Sequence, residues 1–102
     1  MTLQADTPNL DTLLEEVCDE RTFVAFLEAL ANDFAREQEL EASNPSGPYG
    51  PGQLGWENGT VDAVLGAAAA WGHIKLLTGS PPREANPWKR CAHIVYAGKF
   101  YE

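Results

Sequence analysis

Basic residues are scarce in this 102-residue chain: seven Lys and Arg stand against fifteen Asp and Glu, a formal charge of −8. Such a balance repels phosphate, so nucleic-acid backbones and anionic membrane surfaces are excluded as ordinary partners. Cysteine is scarcer still. Cys18 and Cys91 are too few for a disulfide scaffold, and a domain of this length forms a core without one. Long apolar runs are missing as well. The longest, Ala63 to Trp71, is interrupted by Gly66 and falls far short of the roughly 20 residues that span a bilayer. The opening Met1–Asp6 has neither the basic stretch nor the apolar core of a secretory signal. The expected compartment is therefore the cytoplasm, with both cysteines reduced and buried. No glycine-rich segment ends in the Gly-Lys-Ser/Thr of a phosphate loop.

What remains is a globular composition, 44% hydrophobic with three Trp, enough for one modest core over residues 1–102. The acidity is uneven. Residues 1–43 carry eleven acids and two bases, whereas residues 44–102 carry four acids and five bases. Residues 1–8 read as a flexible arm. A short helix follows, capped by Asn9 or Thr7, with Leu10, Leu13, Leu14 and Val17 at helical spacing and Cys18 at the edge of that stripe. A longer helix, capped by Asp19 or Thr22, gathers Phe23, Phe26, Leu27, Leu30 and Phe34 on one face. Glu28, Asp33, Arg36, Glu37 and Glu39 are assigned to its opposite, solvated face.

Residues 43–59 hold three Pro and five Gly, a density that excludes regular structure and predicts a long loop pinned to the core by Trp56. A third helix starts after Thr60 and continues through Gly72 to a stop at Gly79. Val61, Val64, Leu65, Ala68 and Trp71 form its packing face, and Gly66 thins that face for a close neighbour. A turn at Pro81-Pro82 leads to the strongest start signal in the chain, Asn86 as cap and Pro87 in the first helical position. Trp88, Cys91, Ala92, Val95 and Lys99 then share a stripe that Ile94, Tyr96 and Phe100 widen. The predicted fold is all-α, a small bundle of about four helices with a Pro/Gly-rich loop between the second and third.

Few residue groups suggest chemistry. His73, His93 and Cys91 do not form a metal-ligand spacing, because His93 and Cys91 are two apart on a helix and diverge. Cys91 follows Lys89 and Arg90 but lies on the apolar stripe, where a thiol behaves as a small hydrophobe. Glu15-Glu16 and Asp19-Glu20 are adjacent pairs that diverge around a helix. No catalytic set, metal or cofactor is expected. Trp56-Glu57-Asn58 reads first as a helix-start motif, in which Asn58 turns the chain and Glu57 accepts backbone donors, and second as a contact for a ligand or partner. Trp88 beside Lys89 and Arg90 reads first as packing under the N-terminal turn and second as an interaction hot spot, whose composition it shares.

With Trp56-Glu57-Asn58 opening one helix and Asn86-Pro87-Trp88-Lys89 opening the last, the chain resembles a family of small bacterial proteins of unknown function. The likeness covers roughly residues 19–102. It includes the Phe-rich second helix, the small-residue helix containing Trp71, and the ending Tyr96-Ala97-Gly98-Lys99-Phe100-Tyr101-Glu102. The Pro/Gly insertion before Trp56 departs from the pattern. The resemblance implies a complete domain that ends near Glu102 and supplies no activity. Three roles follow from the residues themselves. One is a non-catalytic module of inhibitor or immunity type that masks a basic protein. The second is a homodimer built on uncovered apolar faces. The third is a small-molecule binder with a pocket of Trp56, Glu57, Asn58, His93 and Tyr96.

Overall fold

Among the described residues, four helices form where the caps and apolar spacings place them. The computed structural model describes residues 9–44, 52, 54–78 and 85–101, and among these there is no strand. Helix α1 spans Leu10–Glu16, and Asn9 caps it by accepting from the Asp11 and Thr12 amides. Helix α2 spans Glu20–Ser43. Asp19 caps it in a reciprocal box, its carboxylate accepting from Thr22 N while the Thr22 hydroxyl accepts from Asp19 N. Helix α3 spans Val61–Thr78 and continues through Gly72 as expected. Helix α4 spans Pro87–Phe100, with Asn86 Oδ1 accepting from the Trp88 and Lys89 amides and Pro87 in the first turn. The arm 1–8, loop residues 45–51 and 53, and the Pro81-Pro82 turn lie outside the described residues.

Helix α4 is the hub. It packs on α3 most extensively and also meets α1 and α2, which touch each other, whereas the backbones of α2 and α3 stay apart. The core joins Leu14 and Val17 with Phe26 and Leu30, and adds Trp56 and Ala92. Phe26 is fully buried, a gain of about 1.5–3 kcal/mol for one side chain. Its ring meets Tyr96 edge to face at 5.9 Å, and Tyr96 meets Phe100 at 5.2 Å.

Several expectations change. The core-facing residues of α3 are Val64, Ala68 and Trp71, and Val61 and Leu65 are exposed. A Cβ at Gly66 would meet nothing within 4 Å, so no other helix of this chain packs there; the close approach is at Gly98 of α4, where a Cβ would lie 2.7 Å from the Val64 carbonyl oxygen. Cys18 and Cys91 are both exposed, not buried. Cys91 lies just off the line of Ala92, Val95 and Lys99 that α4 turns inward. Glu37, assigned to the solvated face, is buried on α2, and Asp33 is half-buried beside it.

Candidate functional site

The Trp56-Glu57-Asn58 segment lies where α2, the long loop and the end of α4 converge. Glu37 organises it from α2. Its Oε1 accepts from Leu54 N at 2.8 Å and from Trp56 N at 3.2 Å, so a buried carboxylate satisfies two loop amides that no helix or strand would serve. Gly52 packs directly on that carboxylate, where any Cβ would overlap it. The turn closes with Gly55 N donating to Gly52 O and Gly52 N to Trp56 O. Gly55 has φ +90°, a region open to glycine without strain.

Asp33 lies one helical turn before Glu37. Its Oδ2 accepts from the Trp56 indole N–H at 2.8 Å and pairs with Lys99 Nζ at 2.8 Å. The Lys99 ammonium also lies 5.6 Å from the centre of the Trp56 ring, and Phe34 packs on that ring at 4.9 Å. Lys99 is only 8% exposed, and Asp33 and the ring take the place of water around its ammonium.

The segment also finishes α4. The last carbonyls of a helix have no partner within it. Here Lys99 O accepts from Glu57 N at 2.9 Å and Asn58 N at 3.3 Å, and Asn58 Nδ2 donates to Gly98 O at 3.0 Å and Tyr101 O at 3.2 Å. Asn58 thus clasps the α4 terminus in addition to turning the chain. Glu57 contributes its backbone N–H, and its side chain is exposed.

The other candidates do not join this cluster. The Tyr96 hydroxyl donates to Asp11 Oδ1 at 3.0 Å, tying α4 to α1. Burial, reinforced by the Asp11 carboxylate, pushes its phenol up to about 12. Trp88 is 36% exposed at the start of α4, its ring 5.7 Å from Phe23. His93 is half-buried on α4. The open apolar groove next to the clasp, about 340 Å³, runs between α2 and α3 along Leu27, Leu30, Phe34, Trp56, Val61 and Leu65. Glu57, Asn58, His93 and Tyr96 do not line it. Asp33, Glu37, Lys99, Gly52 and Gly98 were missed in the sequence. A signal was present for the two acids, since Asp33 and Glu37 stand seven and eleven residues after Phe26 on its stripe.

With Asp33 and Glu37 turned inward, the outward acidity concentrates at the α1–α2 corner. Asp11, Glu15, Glu16, Asp19 and Glu20 are all exposed within ten residues. Lys89 Nζ reaches Glu15 at 3.9 Å across the corner. The Thr22 amide and hydroxyl hold the Asp19 carboxyl below the ordinary range, so it stays charged. No group of three or more His, Cys, Asp or Glu among the described residues is placed to hold a metal ion. None of their helices is long and apolar enough to cross a membrane. Comparison with family models, curated proteins and solved structures gave no match.

Proposed function

We propose that this protein is a non-catalytic binding module of inhibitor or immunity type, whose α1–α2 corner docks on a basic surface of another protein. The observation that carries this reading is the five exposed carboxylates between Asp11 and Glu20, on a chain of formal charge −8. Clustered charge of one sign steers an oppositely charged partner, raising its association rate in a salt-dependent way. The candidate polar residues support a binding role over a catalytic one. Asn58 completes the α4 terminus, Tyr96 holds Asp11, and the buried acids serve loop amides and Lys99. We place the activity in the cytoplasm, where the two exposed thiols stay reduced.

The test is capture of basic proteins from an extract of the producing cells, at low and at high salt. The wild-type chain should retain a partner at low salt and release it as the Debye length falls from about 10 Å at 0.1 M to about 3 Å at 1 M. The triple variant Glu15→Gln, Glu16→Gln, Glu20→Gln should retain at least tenfold less. Equal retention by that variant, or no basic partner under either condition, defeats the proposal.

A further inference from the structure

Helix α3 is covered on one side only. Its outer face exposes Val61, Leu65, Leu76 and Leu77 by 76, 63, 64 and 82%, together with Ile74. Val61, Leu65 and Leu76 fall within about 60° of one another around the helix, on the side that borders the groove, whereas Leu77 and Ile74 lie farther round. The patch continues into the groove between α2 and α3.

We propose that a second copy of this chain covers the face, through antiparallel pairing of α3 with α3 across a two-fold axis. Charge favours a copy. The only formal charges on α3 are Asp62 and Lys75, which cancel, so two chains of −8 can meet here without stacking carboxylates. Spacing fixes the register. Asp62 and His73, both exposed, are eleven residues apart and therefore only about 20° apart around the helix. Gly66 and Ala69 lie between them on the same side, with open space over Gly66. An axis centred between Ala67 and Ala68 sets Asp62 opposite the partner's His73 and Gly66 opposite the partner's Ala69. Each contact occurs twice, as an isologous interface requires. The small residues let the backbones approach, and the imidazole N–H can donate to the carboxylate. The same register brings the partner's Leu76 level with Gly59 and Val61, where the groove opens. An 18-residue helix is about 27 Å long. A contact the length of one helix falls below the about 800 Å² per partner of a standard interface, so the pairing is a weak one, read at high protein concentration.

The proposal is independent of the acidic corner, because its readout is mass alone. Sedimentation velocity over micromolar to sub-millimolar protein should show a species of twice the 11.1 kDa chain mass. Leu65→Glu and Leu76→Glu, at exposed positions that leave the monomer fold intact by circular dichroism, should each weaken dimerisation at least 100-fold. Asp62→Lys should weaken it about tenfold, and the pair Asp62→Lys with His73→Glu should restore it. A chain that stays monomeric throughout overturns the proposal, including the case in which an unrelated amphipathic peptide fills the groove. A dimer indifferent to both glutamate substitutions overturns it too. Loss without rescue by the charge exchange overturns the antiparallel register.

Discussion

One methyl group added at Gly98 should loosen the pairing of α3 with α4. In Gly98→Ala the new Cβ lies 2.7 Å from the Val64 carbonyl oxygen and 2.9 Å from Val64 Cγ1. The Val64 side chain can rotate away. Its carbonyl cannot, because it is part of the backbone of α3, so the whole helix must shift. Overpacking of this kind costs about 1–3 kcal/mol, and a backbone obstacle puts this site at the upper end. Alanine returns about 1 kcal/mol through its helix propensity. The net loss is about 2 kcal/mol. Gly72→Ala is the internal comparison. There the nearest atom, Ile94 Cγ1, lies 4.0 Å away, an ordinary contact, and the propensity gain of about 1 kcal/mol stands alone.

A change of 1 kcal/mol moves the Tm of a domain this size by about 4–8 °C. The two variants should therefore melt about 12–24 °C apart, on opposite sides of the wild type. Thermal unfolding followed by far-ultraviolet circular dichroism measures this, with all three proteins at one concentration so that self-association does not enter the comparison. A Gly98→Ala protein that melts at or above the wild type would refute the close crossing at Val64.

Four further outcomes are expected. Glu37→Ala strands the Leu54 and Trp56 amides and should cost about 2–4 kcal/mol in urea unfolding, against about 1 for Glu37→Gln, which keeps an acceptor oxygen; equal costs contradict the clasp. Asp33→Ala removes the acceptor of both the Lys99 ammonium and the Trp56 indole and should cost about 3–5 kcal/mol, more than Lys99→Met, which leaves the indole bond in place; the reverse order would mean that the ion pair is not what holds Trp56. The Tyr96 phenol, pushed up to about 12, favours the neutral form in the folded state. Its contribution is thus complete below about pH 10 and lost as pH rises toward about 12; a tyrosinate absorbance step near 12 that Tyr96→Phe does not remove would contradict the assignment. Both exposed thiols should react with a maleimide in the native protein; modification only after denaturation would show that Cys18 and Cys91 are buried after all.

The helix starts were legible because capping chemistry is local. Asn9, Asp19 and Asn86 each reach an amide two or three residues ahead, and Pro87 prepares its own turn, so nothing distant is needed to read them. The inward turn of Asp33 and Glu37 was half legible. Their spacing from Phe26 put them on the buried stripe, and their charge argued for solvent. Spacing prevailed because the loop carries amides and an indole that need acceptors, and those donors arrive from 17 to 23 residues away. The face of α3 was legible in part: Val64, Ala68 and Trp71 were placed on it rightly, Val61 and Leu65 were not. Periodicity depends on contrast between apolar and polar positions, and a helix of Val, Leu, Ala and Gly has almost none, so Val61 and Leu65 fit the packing face as well as Val64 and Ala68. Gly66 and Gly98 show the limit most clearly. Both are helical glycines with alanine neighbours, and either would suit a close approach. Which one is used depends on where α3 crosses α4, a property of the pair that neither helix encodes alone, and a single Cβ at each position measures the difference directly.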